Sequence, residues 1–282
     1  MSAFFKQRIR EIRSITSIIS LVLMIISLGA LATNGLNMGL DFTGGMVTEV
    51  KVDNSISHEK MVETLQPALG QFTNVTHADQ AGRWMVRYPI PAEGEQTADL
   101  VKVLSPISNQ VEVISNSMVG SQVGQDLIDQ GGLGLMISML SILGYLCFRF
   151  EWRLASGSLL ALLHDVVLVL GFFAASQMEF NLTVFAAILA ILGYSLNDSI
   201  IIADRIRELL VAKQELPIEK INDDAVIATF SRTMVTSGTT LLTVSALWIM
   251  GGAALQGFSI AMFIGILSGT WSSISIGTVL PE

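Results

Sequence analysis

LTVFAAILAILGYSLNDSIII, residues 182–202, has a single charged side chain, Asp198, in twenty-one positions. A hydrocarbon core about 30 Å thick needs about 20 mostly apolar residues as helix, so this stretch reads as a membrane span. Five further runs of similar length flank it, at 15–33, 131–148, 154–176, 233–250 and 258–279. Composition agrees. Mean hydropathy is +0.60 and 14% of residues are charged, against roughly 25% in ordinary globular proteins. A net charge of −8 without a basic stripe speaks against nucleic-acid binding. The lone Cys147 excludes an intramolecular disulfide and reads as a small buried apolar residue.

Lys and Arg are enriched in cytoplasmic loops, which sets the expected orientation. With residues 1–14 inside, eleven of the sixteen basic residues fall on the cytoplasmic side, among them Arg13, Arg149, Arg153, Arg205, Arg207 and Arg232. The other five lie in the long segment 34–130, and the two short outer loops have none. The expected topology is N-in and C-in, with 203–232 as a cytoplasmic loop. Span one, preceded by Lys6, Arg8, Arg10 and Arg13, is too long for a cleaved signal and reads as a retained anchor.

Segment 34–130 changes character, from continuous apolar runs to short alternating ones bounded by turn residues. A strand is expected around Val47–Val52, a helix from His58 to Leu69 capped by Ser57, strands at Asn74–Ala78 and Arg83–Tyr88, a helix near Thr97–Leu104 and a strand at Gln110–Ser115. The order β-α-β-β-α-β predicts a ferredoxin-like α+β domain on the periplasmic side. His58 and His77 lack further ligands at metal spacing and read as solvated surface groups, and Glu93 and Glu95 as solvating loop charges. No nucleophile and base pair, metal cluster or phosphate loop is visible, so no enzyme, cofactor or metal is expected.

Ionisable groups inside spans are costly and point to function. His164 and Asp165 lie mid-way along span three, and Asn197 and Asp198 toward the end of span four, where Gly193, Tyr194 and Ser195 precede them. Small and polar residues let a helix pack closely and turn hydrogen-bonding groups inward. Asp198 is therefore the candidate to take and release a proton, with movement of Arg232, at the mouth of span five, altering its affinity; a static hydrogen-bonded carboxylate near the interface is the alternative. His164 and Asp165 fit a pair tying helices together or a role in ion passage. Asp204, Arg205, Arg207 and Glu208 read as a solvated helix end.

GLDFTGG at Gly39–Gly45 follows span one, and its glycines permit a tight, buried junction. Together with VGSQVG at 119–124, FRFEWR at 148–153, LLHD at 162–165, GYSLNDS at 193–199, DRIRE at 204–208 and RTMVTSGTTL at 232–241, this motif closely resembles SecF-type members of the SecD/SecF family, over nearly the whole chain. The resemblance implies half of a twelve-span unit of the resistance-nodulation-division superfamily in the bacterial inner membrane. SecD would supply the other half, with the SecYEG channel, YajC and the SecA motor as further partners. The implied function is late-stage export of preproteins driven by an ion gradient, H⁺ or Na⁺. The family's intramembrane aspartate falls on Asp198, its arginine on Arg232, and its glycine motif on Gly39, Asp41, Phe42, Thr43, Gly44 and Gly45. Ser121 stands where many relatives have proline, and the chain stops at Glu282 directly after span six, so a cytoplasmic tail is missing or absent. Competing readings are a passive assembly scaffold for the translocon and a small-molecule exporter of the same superfamily.

Overall fold

Apolar length produces long helices here, and alternation produces a small sheet between the first two spans. The computed structural model describes residues 3–70, 73–77, 82–89 and 99–279. In chain order its elements are α1 (Ala3–Asn34), α2 (Leu40–Thr43), β1 (Gly45–Lys51), α3 (His58–Leu69), β2 (Asn74–His77), β3 (Arg83–Tyr88), α4 (Leu100–Leu104), β4 (Glu112–Val119), α5 (Ser121–Arg149), α6 (Trp152–Ser176), α7 (Leu182–Ala212), α8 (Ile218–Met250) and α9 (Gly252–Val279). They fall into two compact units, one of membrane-type helices and one running from Met38 to Leu133 with Gly252–Ala254.

In the helical unit, α1, α5, α6, α7, α8 and α9 each contain a stretch long and apolar enough to span a membrane. Helices α6, α7 and α9 are the buried centre, whereas α1, α5 and α8 turn most of their side chains outward. Ile18, Leu21, Ile25, Met136, Leu140 and Ile249 are all exposed. Apolar surface of this extent is stable in lipid or against another subunit, not in water. Cys147 belongs to that outward face of α5 and is exposed, contrary to the expected burial. It faces outward because Leu146, next to it, takes the inward position among Phe150, Leu154 and Ile206.

Residues 203–232, expected as a cytoplasmic loop with a helix end at 204–208, are helical except for 213–217: α7 runs on to Ala212, and α8 starts directly after Pro217, its N-cap. The extensions are amphipathic, burying Ile206, Leu209, Ile221, Ala225 and Val226 in one cluster, and that burial supports helix past the apolar run. At the opposite end of α6, Gln177 adopts a left-handed backbone, φ 52°. Its amide donates to the carbonyls of Ala174, 2.7 Å, and Gly35, 3.2 Å, joining the ends of α6 and α1. Along the same pair, a side chain at Gly171 would collide with Ser27, whose Cβ would lie 2.2 Å away.

The second unit is a four-stranded sheet in the order β2-β3-β1-β4, every neighbouring pair antiparallel. Strands β1 and β2 flank β3 and are joined through α3, while β3 and β4 flank β1 and are joined through α4. This is the interleaved split βαβ arrangement of a ferredoxin-like fold. Ser57 caps α3 by accepting from the Lys60 amide. Strand β4 extends to Val119, beyond the expected Ser115, because β1 offers pairing partners back to Gly45. Ala78, Glu93, Glu95 and Thr97 lie outside the described residues. The core holds Val50, Met61, Leu65, Trp84, Val86 and Leu104. His58 and His77 are exposed but not simply solvated. His77 stacks on Trp84, ring centroids 3.6 Å apart, and the His58 Nε2 lies 2.9 Å from the Val75 carbonyl.

Candidate functional site

On α7 the residues Ser195, Asp198, Ser199 and Ile202 recur at the spacing of one helix face, and all are buried. Asn197 falls on the other side and is exposed, so the structure separates it from its neighbour. Asp198 is 1% exposed. Its Oδ2 accepts a long hydrogen bond, 3.4 Å, from the Ser237 hydroxyl of α8. The Ser237 oxygen in turn lies 2.7 Å from the Thr270 hydroxyl of α9. Among the described residues Asp198 Oδ1 has no hydrogen-bond partner, and neither do the buried hydroxyls of Ser199 and Thr233. Oxygen capacity unmet by protein atoms is costly away from water and suits a site that receives a cation or water.

Asp165 is satisfied instead. It is 0% exposed on α6. Its Oδ2 accepts from the Ser195 hydroxyl at 2.6 Å and the Ser272 hydroxyl at 2.9 Å, and its Oδ1 lies 3.1 Å from His164 Nδ1. One carboxylate therefore holds α6, α7 and α9 together. Gly269 on α9 makes this approach possible, since a Cβ there would stand 3.0 Å from the Ser195 Cβ and 3.4 Å from Asp165 Oδ2. His164 is also buried, and its Nε2 has no hydrogen-bond partner among the described residues.

The two carboxylates thus head two hydrogen-bonded groups on shared helices: Asp165 with Ser195 of α7 and Ser272 of α9, and Asp198 of α7 with Ser237 of α8 and, through it, Thr270 of α9. Sequence reasoning found the charged members and missed Ser237, Thr270 and Ser272. The available signal was the density of hydroxyls in residues 268–278, where Ser268, Thr270, Ser272, Ser273, Ser275 and Thr278 crowd one otherwise apolar span.

Arg232 is exposed on α8, with no salt bridge to Asp198. Arg13 is 1% exposed and pairs with Asp223 of α8 at 2.5 Å. Asp204 joins Arg149, 2.7 Å, and Arg207, 3.4 Å, and Arg205 joins Glu208, 2.6 Å, as a partly exposed helix end. No group of three or more His, Cys, Asp or Glu able to hold a metal occurs among the described residues.

The glycine motif lies in the other unit and is a junction. Phe42 and Thr43 amides donate to the Gly39 carbonyl, closing α2. Gly44 and Gly45 then take φ 71° and 154°. Phe42 is buried, Asp41 half-buried and Thr43 exposed. A Cβ at Gly124 would stand 2.2 Å from the Phe42 carbonyl oxygen, so glycine in the second motif, at 119–124, lets α5 meet α2 backbone to backbone.

Residues 99–280 match the family described as protein export membrane protein SecD/SecF, C-terminal, and residues 29–56 match the SecD/SecF GG motif. The protein translocase subunit SecF of Escherichia coli O157:H7 is 40% identical over 257 residues, covering 89% of this chain and 79% of that one. The chain belongs to the SecF branch of the SecD/SecF family. The SecF of Pseudomonas aeruginosa is likewise 40% identical, over 90% of this chain and 84% of its own. A crystal structure of SecDF from Thermus thermophilus, described as a translocon-associated membrane protein, superposes with a TM-score of 0.83 at 31% identity. SecDF in a super-membrane-facing form gives 0.72 at 30%. Each match covers 98% of this SecF-type chain but only 38% of the SecDF chain. Six apolar helices with this membership make it a multi-pass inner-membrane protein.

Proposed function

We propose that this chain is the SecF half of a SecD-SecF machine that promotes late-stage protein export through SecYEG by coupling ion flow to movement of the α+β unit. YajC and SecA are the further partners of this reading, and the emerging preprotein is its substrate. The chain is oriented with both termini cytoplasmic and the sheet-bearing unit periplasmic. The coupling cation is H⁺ or Na⁺, and no other cofactor takes part.

The observation that carries the proposal is Asp198: a carboxylate 1% exposed inside the bundle, with one oxygen unmet by protein atoms and the other held by a single 3.4 Å contact. A loosely held buried charge changes its surroundings strongly when a cation neutralises it, because low dielectric amplifies the difference between the two states. Arg232 enters as the mobile counter-charge on α8. Asp165, engaged by three donors on three helices, is better suited to tying the bundle together than to exchanging an ion.

The test is Asp198→Asn in SecD-SecF reconstituted with SecYEG and SecA. Gradient-dependent export is expected to disappear while assembly is preserved. Undiminished stimulation by the gradient refutes the motor reading and leaves the passive scaffold.

A further inference from the structure

Helix α8 is held very unequally along its length. Over its first turns Ile221, Asn222, Ala225 and Val226 are each at most 1% exposed, whereas beyond Ser237 Val244 is the buried residue among those described. The same first turns carry polar anchors to two other helices. Asp223 pairs with the guanidinium of Arg13 on α1. Arg13 Nε also donates to the Thr278 hydroxyl of α9, 3.0 Å, and Asn222 Nδ2 donates to the Thr278 carbonyl, 3.0 Å. A guanidinium 1% exposed is stable only in full engagement, and removing its carboxylate would leave a buried charge.

Farther along, α8 touches the carboxylate site through Ser237, 3.4 Å from Asp198, and α7 through Tyr194 and Thr240, whose hydroxyls are 3.2 Å apart. Asp223 and Ser237 are fourteen residues apart, about 21 Å along a continuous helix. One end is fixed by a buried ion pair, and the other by single side-chain hydrogen bonds to α7, 3.4 and 3.2 Å, and to α9, 2.7 Å.

We infer that the Arg13–Asp223 pair, braced by Thr278, is the fixed pivot about which α8 swings, carrying Ser237 and Arg232 toward or away from Asp198. Arg13 and Asp223 are positioning residues in this scheme and touch no transported ion. The inference rests on the reading of Asp198 as the ion site and adds where the moving helix is hinged.

Tethering separates a pivot from a moving contact. In a Cys147→Ser background, Arg13→Cys with Asp223→Cys, and separately Tyr194→Cys with Thr240→Cys, are joined by a short bismaleimide in the reconstituted complex, and gradient-dependent export is measured before and after. Before tethering, the 13/223 pair is expected to lose most of its gradient response, and the tether to restore it. The 194/240 pair is expected to respond until tethered and then to lose the response. A tether at 13/223 that abolishes export, an untethered 13/223 pair that responds like the parent, or a 194/240 tether without effect overturns the pivot. If the 13/223 cysteine protein does not assemble, the charge-swapped Arg13→Asp/Asp223→Arg protein takes its place. Once folded it must respond, and silence overturns the pivot, while the 194/240 arm decides independently. Asp198→Asn runs in parallel. If it still responds, the ion-site reading fails; if it is silent while the 13/223 variants respond normally, only the pivot fails.

Discussion

Two aspartates in neighbouring spans are equally buried and differently held, and that difference predicts different costs of neutralisation. Asp165 accepts from Ser195 and Ser272 and faces His164, while Asp198 has one long contact and a free oxygen. Hydrogen bonds to a charged group contribute about 1.5–3 kcal/mol each, so Asp165→Asn is expected to cost about 2–4 kcal/mol of stability. Removing a poorly compensated buried charge is neutral or favourable, so Asp198→Asn should cost less than about 1 kcal/mol. Thermal melting of both variants in detergent checks this, and equal or reversed losses would contradict the division into a tie and an ion station. The charged residues of this site were legible because a carboxylate in an apolar run stands out. Their hydroxyl partners were not, since Ser and Thr are nearly neutral in hydropathy and bond back to their own helix, as Ser273 does to Thr270 and Ser275 to Trp271. The burial of Arg13 was not legible for a related reason: its partner Asp223 is 210 residues away.

Among elements, close helix contacts depend on single missing side chains. A Cβ at Gly171 would lie 2.2 Å from Ser27 Cβ and 2.6 Å from Ser27 Cα, so α1 and α6 must separate to admit even alanine. Overpacking of this kind typically costs about 1–3 kcal/mol. Gly171→Ala is expected to lower the melting temperature, and Ser27→Gly in the same chain to recover part of the loss, since it removes the Cβ that collides. No recovery would show that the contact is not what limits the approach. In the sheet unit, Trp84 is fully buried between α3 and the strands, and Trp84→Ala is expected to cost about 3–5 kcal/mol, read as loss of protease resistance in the segment before α5. These elements were legible to different degrees. The presence of six apolar helices followed from apolar length and the strands from alternation, and 204–208 read as a helix end, but the run of α7 to Ala212 and the start of α8 at Ile218 were hidden, because amphipathic helix and solvated loop have similar hydropathy. Where β4 ends depended on how far β1 reaches, a pairing absent from local sequence.

For the whole molecule the question is whether an ion gradient can reset a helix bundle that carries a folded unit. One charge crossing the membrane field yields about 2.3 kcal/mol per 100 mV, so two charges at about 150 mV yield about 7 kcal/mol. Driving a two-state element from 1:99 to 99:1 requires about 5.5 kcal/mol, so two cations per cycle meet the requirement, whereas one, at about 3.5 kcal/mol, falls short. A carboxylate with hydroxyl neighbours and no histidine among its described hydrogen-bond partners fits either a proton or a sodium ion. The two are separated by imposing each gradient alone on proteoliposomes that contain the chain with SecD, SecYEG and SecA. Export is expected to respond to one gradient and to ignore the other at equal magnitude, and Asp198→Asn to remove that response while leaving SecA-driven export intact. Equal export with both gradients collapsed would mean that the buried carboxylate is not the point at which energy enters, whatever its contribution to packing.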